Sequence, residues 1–129
     1  MKKFIGVALL AGSILFTSAL YAQSIDGVVT GIKNGNAVQV TDNAGANFSL
    51  TIMDKSNNYS KTEAQQAIKD FFTKNSVKGF EVKHKGNSPN GQYAIGTLST
   101  GSGNYRVNIF MKKEGSKEVI KELRFQLIE

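Results

Sequence analysis

The sequence predicts an α+β fold in which one antiparallel sheet packs against helices that precede it. Three observations carry that prediction in this chain of 129 residues. One strongly amphipathic helix lies mid-chain, alternating runs separated by tight turns follow it, and a β-branched stretch comes before it.

The chain opens MKKFIGVALLAGSILFTSALYAQS. Lys2 and Lys3 are basic, Phe4 to Phe16 is an almost unbroken apolar run, and small residues lead to Tyr21, Ala22 and Gln23. This three-part layout is that of a secretory signal peptide. The apolar run is shorter than the ~20 residues that a spanning helix needs. Residues 1–22 are therefore expected to be cleaved near Ala22, leaving one domain over 23–129 with no membrane span. The expected location is the periplasm or the cell exterior.

Composition removes several chemistries. Two of the sixteen basic residues leave with the leader, so fourteen against ten acidic residues give a net charge of +4. The lysines are spread along the chain, whereas a nucleic-acid binder clusters them, so no nucleic-acid partner is expected. With no cysteine there is no disulfide, no thiol catalysis, no thiolate metal site and no lipid anchored through a thiol. A single histidine leaves no transition-metal site, no calcium-loop spacing occurs, and no cofactor is implied.

The segment SIDGVVTGIKNGNAVQVTDNAGANFSLTIMD admits two readings. NAVQV and NFSLTI alternate around TDNAG, which reads as a hairpin. In the other reading a helix starts at Ser24 or Ile25, places Ile25, Val28, Val29 and Ile32 on one face, and ends at Gly35. NFSLTI is a strand in both. Next comes NYSKTEAQQAIKDFFTKNS, where Ser60 and Glu63 form a capping box. Ala64, Ala67, Ile68, Phe71 and Phe72 then recur at helical spacing. This stripe is the helix's core face or, in the sharper reading, the wall of a ligand cavity.

GFEVKH, YAIGTLST, YRVNIFMKK and EVIKELRFQLIE follow, separated by NSPNGQ, GSGN and EGSK. Turns this short make antiparallel hairpins. GSG is flanked by strands and lacks a third glycine, so it is no dinucleotide site.

This order of elements resembles the nuclear-transport-factor-like cone fold (a cystatin-like arrangement), the superfamily that includes ketosteroid isomerase and polyketide cyclases. Within it, KNGNA, YSKTEAQQAIKDFFTKN, FEVKHKGNS, YAIGTLSTGSGNYRVNIFMKK and VIKELRF resemble a bacterial family of secreted proteins, domain of unknown function 4783. The resemblance covers most of residues 24–126. It implies a curved sheet wrapped around the N-terminal and central helices with a conical cavity between. It also implies a helix over 25–34 and a short one near 37–42, although AVQVTDN is poor helix material. It brings no activity with it.

Alternation sorts the strand residues into faces. Phe80, Val82 and His84 share one, Tyr93, Ile95 and Thr97 another, and Tyr105, Val107, Ile109 and Met111 a third. If these coincide, they line the cone with Phe71 and Phe72, and a bulge around Lys121 would turn Ile120, Leu123 and Phe125 the same way. His84, Tyr93, Thr97, Tyr105, Phe71 and Phe72 are then the candidate cavity residues. His84 with Tyr93 is the one pair with acid–base capacity, but no carboxylate shares their face, so no catalytic residue is assigned. The opposite face carries Glu81, Lys83, Lys85, Asn108 and Lys112, with Arg106, Phe110, Glu122 and Arg124 as the candidate interface. Arg106 and Arg124 are expected to meet Glu122 across strands.

The leading expectation is a non-catalytic binding domain for a small apolar ligand or an envelope protein. The alternatives are an isomerase or dehydratase that uses the cone, and an interaction module with a filled cone, such as a homodimer.

Overall fold

Ser60 and Glu63 set the start of the longest helix in the computed structural model, which describes residues 25–128. The leader over 1–22 lies outside the described residues. Helix α1 spans 25–33 and α2 spans Ala37–Thr41. Strands β1 (Ala44–Ile52) and β2 (Lys55–Ser60) lead into α3 (Lys61–Asn75). Strands β3 (Val77–Ser88), β4 (Gly91–Thr100), β5 (Gly103–Glu114) and β6 (Lys117–Leu127) follow. The predicted turns fall between them, with Gly91 and Gly115 at positive φ. No helix among the described residues is long and apolar enough to cross a membrane.

Ile25, Val28 and Ile32 of α1 are fully buried, and Gly35 follows the helix at φ 64°. The hairpin reading of NAVQV is thereby overturned, because that stretch is α2. Its β-branched residues are poor helix formers, but tertiary contacts override the propensity. Asn36 caps α2 by accepting from the Gln39 backbone N–H at 3.1 Å. Ala37, Val40 and Thr41 are buried, and the Thr41 hydroxyl bonds Gln65 of α3 at 3.0 Å. Gly31 is the contact point between α1 and α2. A Cβ there would lie 2.7 Å from the Val40 backbone nitrogen.

The six strands form one sheet in the order β2-β1-β6-β5-β4-β3. The sheet is antiparallel as predicted, with one parallel pair, β1 and β6. The chain passes from β1 through β2, α3 and the meander β3 to β6, and this route brings β6 back beside β1 in the same direction. Strand β2, KSNNYS, was not foreseen. It is polar, mostly exposed and pairs only with β1, so no alternation betrays it.

One face of the sheet holds the core. Phe48, Leu50, Ala94, Leu98, Tyr105, Val107, Ile109, Met111, Ile120, Leu123 and Phe125 join Ile68, Phe71 and Phe72 of α3 in a single apolar cluster. The register between β5 and β6 shifts from Phe110↔Glu122 to Met111↔Ile120, so Lys121 is the extra residue of the expected bulge. Ile120, Leu123 and Phe125 all reach the core, fully buried.

The capping box generates a test. The Ser60 hydroxyl accepts from the Glu63 N–H and the Glu63 carboxylate accepts from the Ser60 N–H, both at 3.2 Å. These bonds with the Ser60 side chain and backbone hold Glu63 below its ordinary value of 4.5. A lowered carboxylate contributes stability above that ordinary value and loses it as pH falls through the lowered one. Thermal melts of Ser60→Ala should show a loss of ~1 kcal/mol near neutral pH. The difference from wild type should narrow at acid pH.

Candidate functional site

The helix-covered side of the sheet is filled. Phe71 and Phe72 descend from α3 onto Phe125 of β6, with ring centroids 4.9 and 6.1 Å from it. Tyr105 meets Phe71 edge-on at 5.0 Å. Its hydroxyl donates to Asn75 Oδ1 at 3.0 Å, and the Asn75 amide donates to the Phe71 carbonyl at 2.8 Å. The last turn of the helix is thus latched to the sheet. Phe71, Phe72 and Tyr105 are each only 6% exposed and Phe125 is fully buried. Three of the six candidate cavity residues are therefore packed core.

The other three lie on the opposite face, a correction that has two causes. From Ala94 onward the buried residues of β4 are Ala94, Gly96, Leu98 and Thr100. They pair with the core-facing Ile109, Val107 and Tyr105 at the first three positions and with Gly103 at the last. Tyr93, Ile95 and Thr97 are therefore turned away from the helices. The inward position at Gly96 carries no side chain because the ring of Phe80 covers it from the core side. A Cβ on Gly96 would strike that ring and the Glu81 carbonyl oxygen. In β3 the pairing jumps from Val82↔Gly96 to His84↔Ile95, which makes Lys83 a bulge residue. Phe80 and Val82 face the core, but His84 goes to the outer face with Ile95. Lys85 is thrown to the helix side, where it binds Asp26 of α1 at 2.6 Å. Lys85 was expected on the outer face.

Cross-strand partners share a face, so the outer surface can be written in rows. One row is Gly86, Tyr93, Phe110, Glu122 and Ser49, and the next is His84, Ile95, Asn108, Arg124 and Thr51. The third is Glu81, Thr97, Arg106 and Gln126. The four candidate interface residues, Arg106, Phe110, Glu122 and Arg124, all belong to this face. Arg124 Nε approaches Glu122 Oε2 at 3.4 Å along its own strand. Arg106 lies one row further and does not join them, which corrects the expected three-residue network. His84 and Tyr93 remain diagonal neighbours, on the face opposite to the expected one.

A pocket of about 490 Å³ at the border of these rows is lined by Met53, Asp54, Arg106, Gln126, Leu127 and Ile128, and two more occupy the rows themselves. The first, of about 430 Å³, is lined by Tyr93, Ile95, Phe110 and Met111, with Ser88, Asn90, Gln92, Lys121 and Glu122 around them. Tyr93 and Phe110 stand side by side, 6.5 Å between ring centroids. Gly86 makes room for the tyrosine, since a Cβ there would lie 2.7 Å from its hydroxyl. The second pocket, of about 410 Å³, is lined by Lys83, His84, Ile95, Gly96, Thr97, Arg106, Asn108 and Ile128. Lys83 is paired with Glu81, and this contact holds the Glu81 carboxyl below its ordinary range through the hydrogen bond first and the charge second. Neither pocket was legible in the sequence, because each depends on register and on the Lys83 bulge.

The family model described as Domain of unknown function (DUF4783) matches residues 25–126. The chain belongs to the DUF4783 family. A DUF4783 family protein from Bacteroides ovatus is 38% identical, with TM-score 0.77 over 80% of this chain and 94% of that one. Another from Bacteroides uniformis is 33% identical, with TM-score 0.78 over 81% and 96%. An NTF-2 like protein of unknown function from Shewanella oneidensis is 17% identical, with TM-score 0.58 over 81% and 94%. At that identity the likeness shows the fold alone, and the fold is the nuclear-transport-factor-like cone. No curated protein matches the chain. The DUF4783 chain described here thus has the cone architecture with its helix side occupied by its own aromatic residues.

Truncating the cluster measures how tightly it is filled. Phe71→Ala should cost ~3–5 kcal/mol in urea unfolding, the range for a fully packed aromatic. A loss far below that range would mean open space beside the ring.

Proposed function

We propose that this chain is a non-catalytic binding domain of the cell envelope that takes a small apolar ligand on the helix-free face of its sheet. One observation carries the reading. The helix side is packed with aromatic side chains, while a pocket of about 430 Å³ with Tyr93, Ile95 and Phe110 in its lining opens on the other face. Partly exposed aromatic rings held rigid by their neighbours are effective binding surface, because they cover area with little side-chain entropy to lose. The envelope location is supported by the apolar leader that ends near Ala22.

The face is poorly furnished for catalysis. His84 is bordered by Ile95, Thr97 and Asn108, and the carboxylate nearest along its strand, Glu81, is engaged by Lys83. A histidine base without an orienting carboxylate keeps little catalytic value.

A second reading, a homodimer through the same face, is favoured by its charge pattern. Arg106 and Arg124 lie on the same surface as Glu81 and Glu122, so charges of both signs are present for a two-fold axis that passes between them.

Native mass spectrometry of protein purified from its own envelope tests both. The expected result is a monomer carrying an extra mass that denaturation releases. Phe110→Ser should lose that mass while keeping a cooperative melt. A bare dimer that Phe110→Ser dissociates would replace this reading with the second. An extra mass that survives Phe110→Ser would sink it.

A further inference from the structure

The two outer-face pockets meet at Ile95, which lines both, and we infer that together they take a single-chain amphiphile with a carboxylate head. This inference rests on the reading of the helix-free face given above and names the ligand class for it. On one side of Ile95 are Tyr93 and Phe110, with Lys121 and the Arg124-paired Glu122 at the border, and on the other are Lys83, His84, Thr97, Arg106 and Asn108. An apolar body fits the first half and an anion the second.

The polar half depends on a local distortion. The bulge at Lys83 brings both Lys83 and His84 to the outer face, beside Thr97 and Arg106. Regular alternation would have sent His84 to the core. Bulges of this kind re-aim side chains at binding sites. The result is a cluster of donors: a guanidinium, an ammonium, a ring N–H, a hydroxyl and an amide. Glu81 is the carboxylate that neutralises Lys83, and Arg106 makes no salt bridge among the described residues. Among the described residues the cluster therefore keeps one positive charge without an ion-pair partner, that of Arg106, whose other side borders a pocket shared with Asp54. One such charge matches a monoanion, and a planar guanidinium matches the two oxygens of a carboxylate.

Spacing sets the ligand's size. Arg106 and Phe110 are four residues apart on β5, about 13 Å along an extended strand. A medium-length acyl chain reaches from the one to the other. Short carboxylates such as acetate would fill only the polar half.

Isothermal titration calorimetry with decanoate, decanol and acetate separates the contributions, using the purified protein, Arg106→Gln and Phe110→Ser. Both altered side chains are at the surface or half-buried, and circular dichroism melts verify folding. Decanoate should bind wild type at least tenfold more tightly than decanol or acetate. Arg106→Gln should weaken decanoate about tenfold or more, as expected for loss of a charge-assisted contact, and leave decanol unchanged. Phe110→Ser should weaken both. Decanol equal to decanoate, or decanoate indifferent to Arg106→Gln, would overturn the carboxylate head and leave the apolar face standing. Amide NMR shifts at Phe71 and Phe72 in place of Ile95 and Arg106 would overturn the face as well. Association with anionic vesicles but not with monomeric decanoate would also overturn this inference, in favour of a membrane surface. Silence from all probes would do the same, with the released mass still deciding the broader reading.

Discussion

The stacking of Phe71 and Phe72 against Phe125 is the contact on which the remaining architecture depends. A domain of about a hundred residues without a disulfide has a small margin of stability and must take it from one core. Here the space that a cone fold can leave open is given to that core. The Tyr105–Asn75 hydrogen bond then fixes where the helix ends relative to the sheet, and so where β3 begins. With the helix side filled, the proposed binding surface is the one that the helices do not cover. The aromatic residues of this chain divide accordingly. Phe71, Phe72, Tyr105 and Phe125 hold the fold, and Tyr93 and Phe110 face outward.

Much of the fold was readable because its causes are local. A serine three residues before a glutamate specifies a helix start through two hydrogen bonds that need no tertiary partner. The stripe from Ala64 to Phe72 reads at helical period because one side of α3 meets the sheet. Strand β5 alternates cleanly, with Tyr105, Val107, Ile109 and Met111 inward and Arg106, Asn108 and Phe110 outward. Even the Lys121 bulge was visible, since three apolar residues of β6 could not otherwise share a face.

What was not readable depends on residues far apart in the chain. In β4 the bulkier apolar residues lie on the wrong side for a pattern argument. Tyr93 and Ile95 are outside, whereas Ala94 and Gly96 are inside, and Phe80 from the neighbouring strand fills the room above Gly96. The Lys83 bulge leaves no compositional trace, since a lysine among charged neighbours looks the same whether or not it is an extra residue. AVQVT becomes helical because Thr41 and Val40 find partners on α3 and α1, contacts that propensity does not contain. The candidate site inherits these errors. Its residues were identified on the strands that matter, but their face was decided by a one-residue shift, the least forgiving quantity in a sheet.

The distortion at Lys83 has one more consequence, because β3 is an outermost strand. The free N–H and C=O groups of such a strand invite pairing with another chain, and proteins that stay dispersed blunt their edges. Lys78, Lys83 and Lys85 are exposed along β3, and the bulge interrupts the straight run of groups that an incoming strand would need. At the far edge, β2 is only six residues long, with Lys55, Ser56, Asn57 and Asn58 exposed. Both borders of the sheet thus carry features that disfavour lateral growth. The irregularity that gives the outer face its histidine also roughens the edge along which another strand would have to pair.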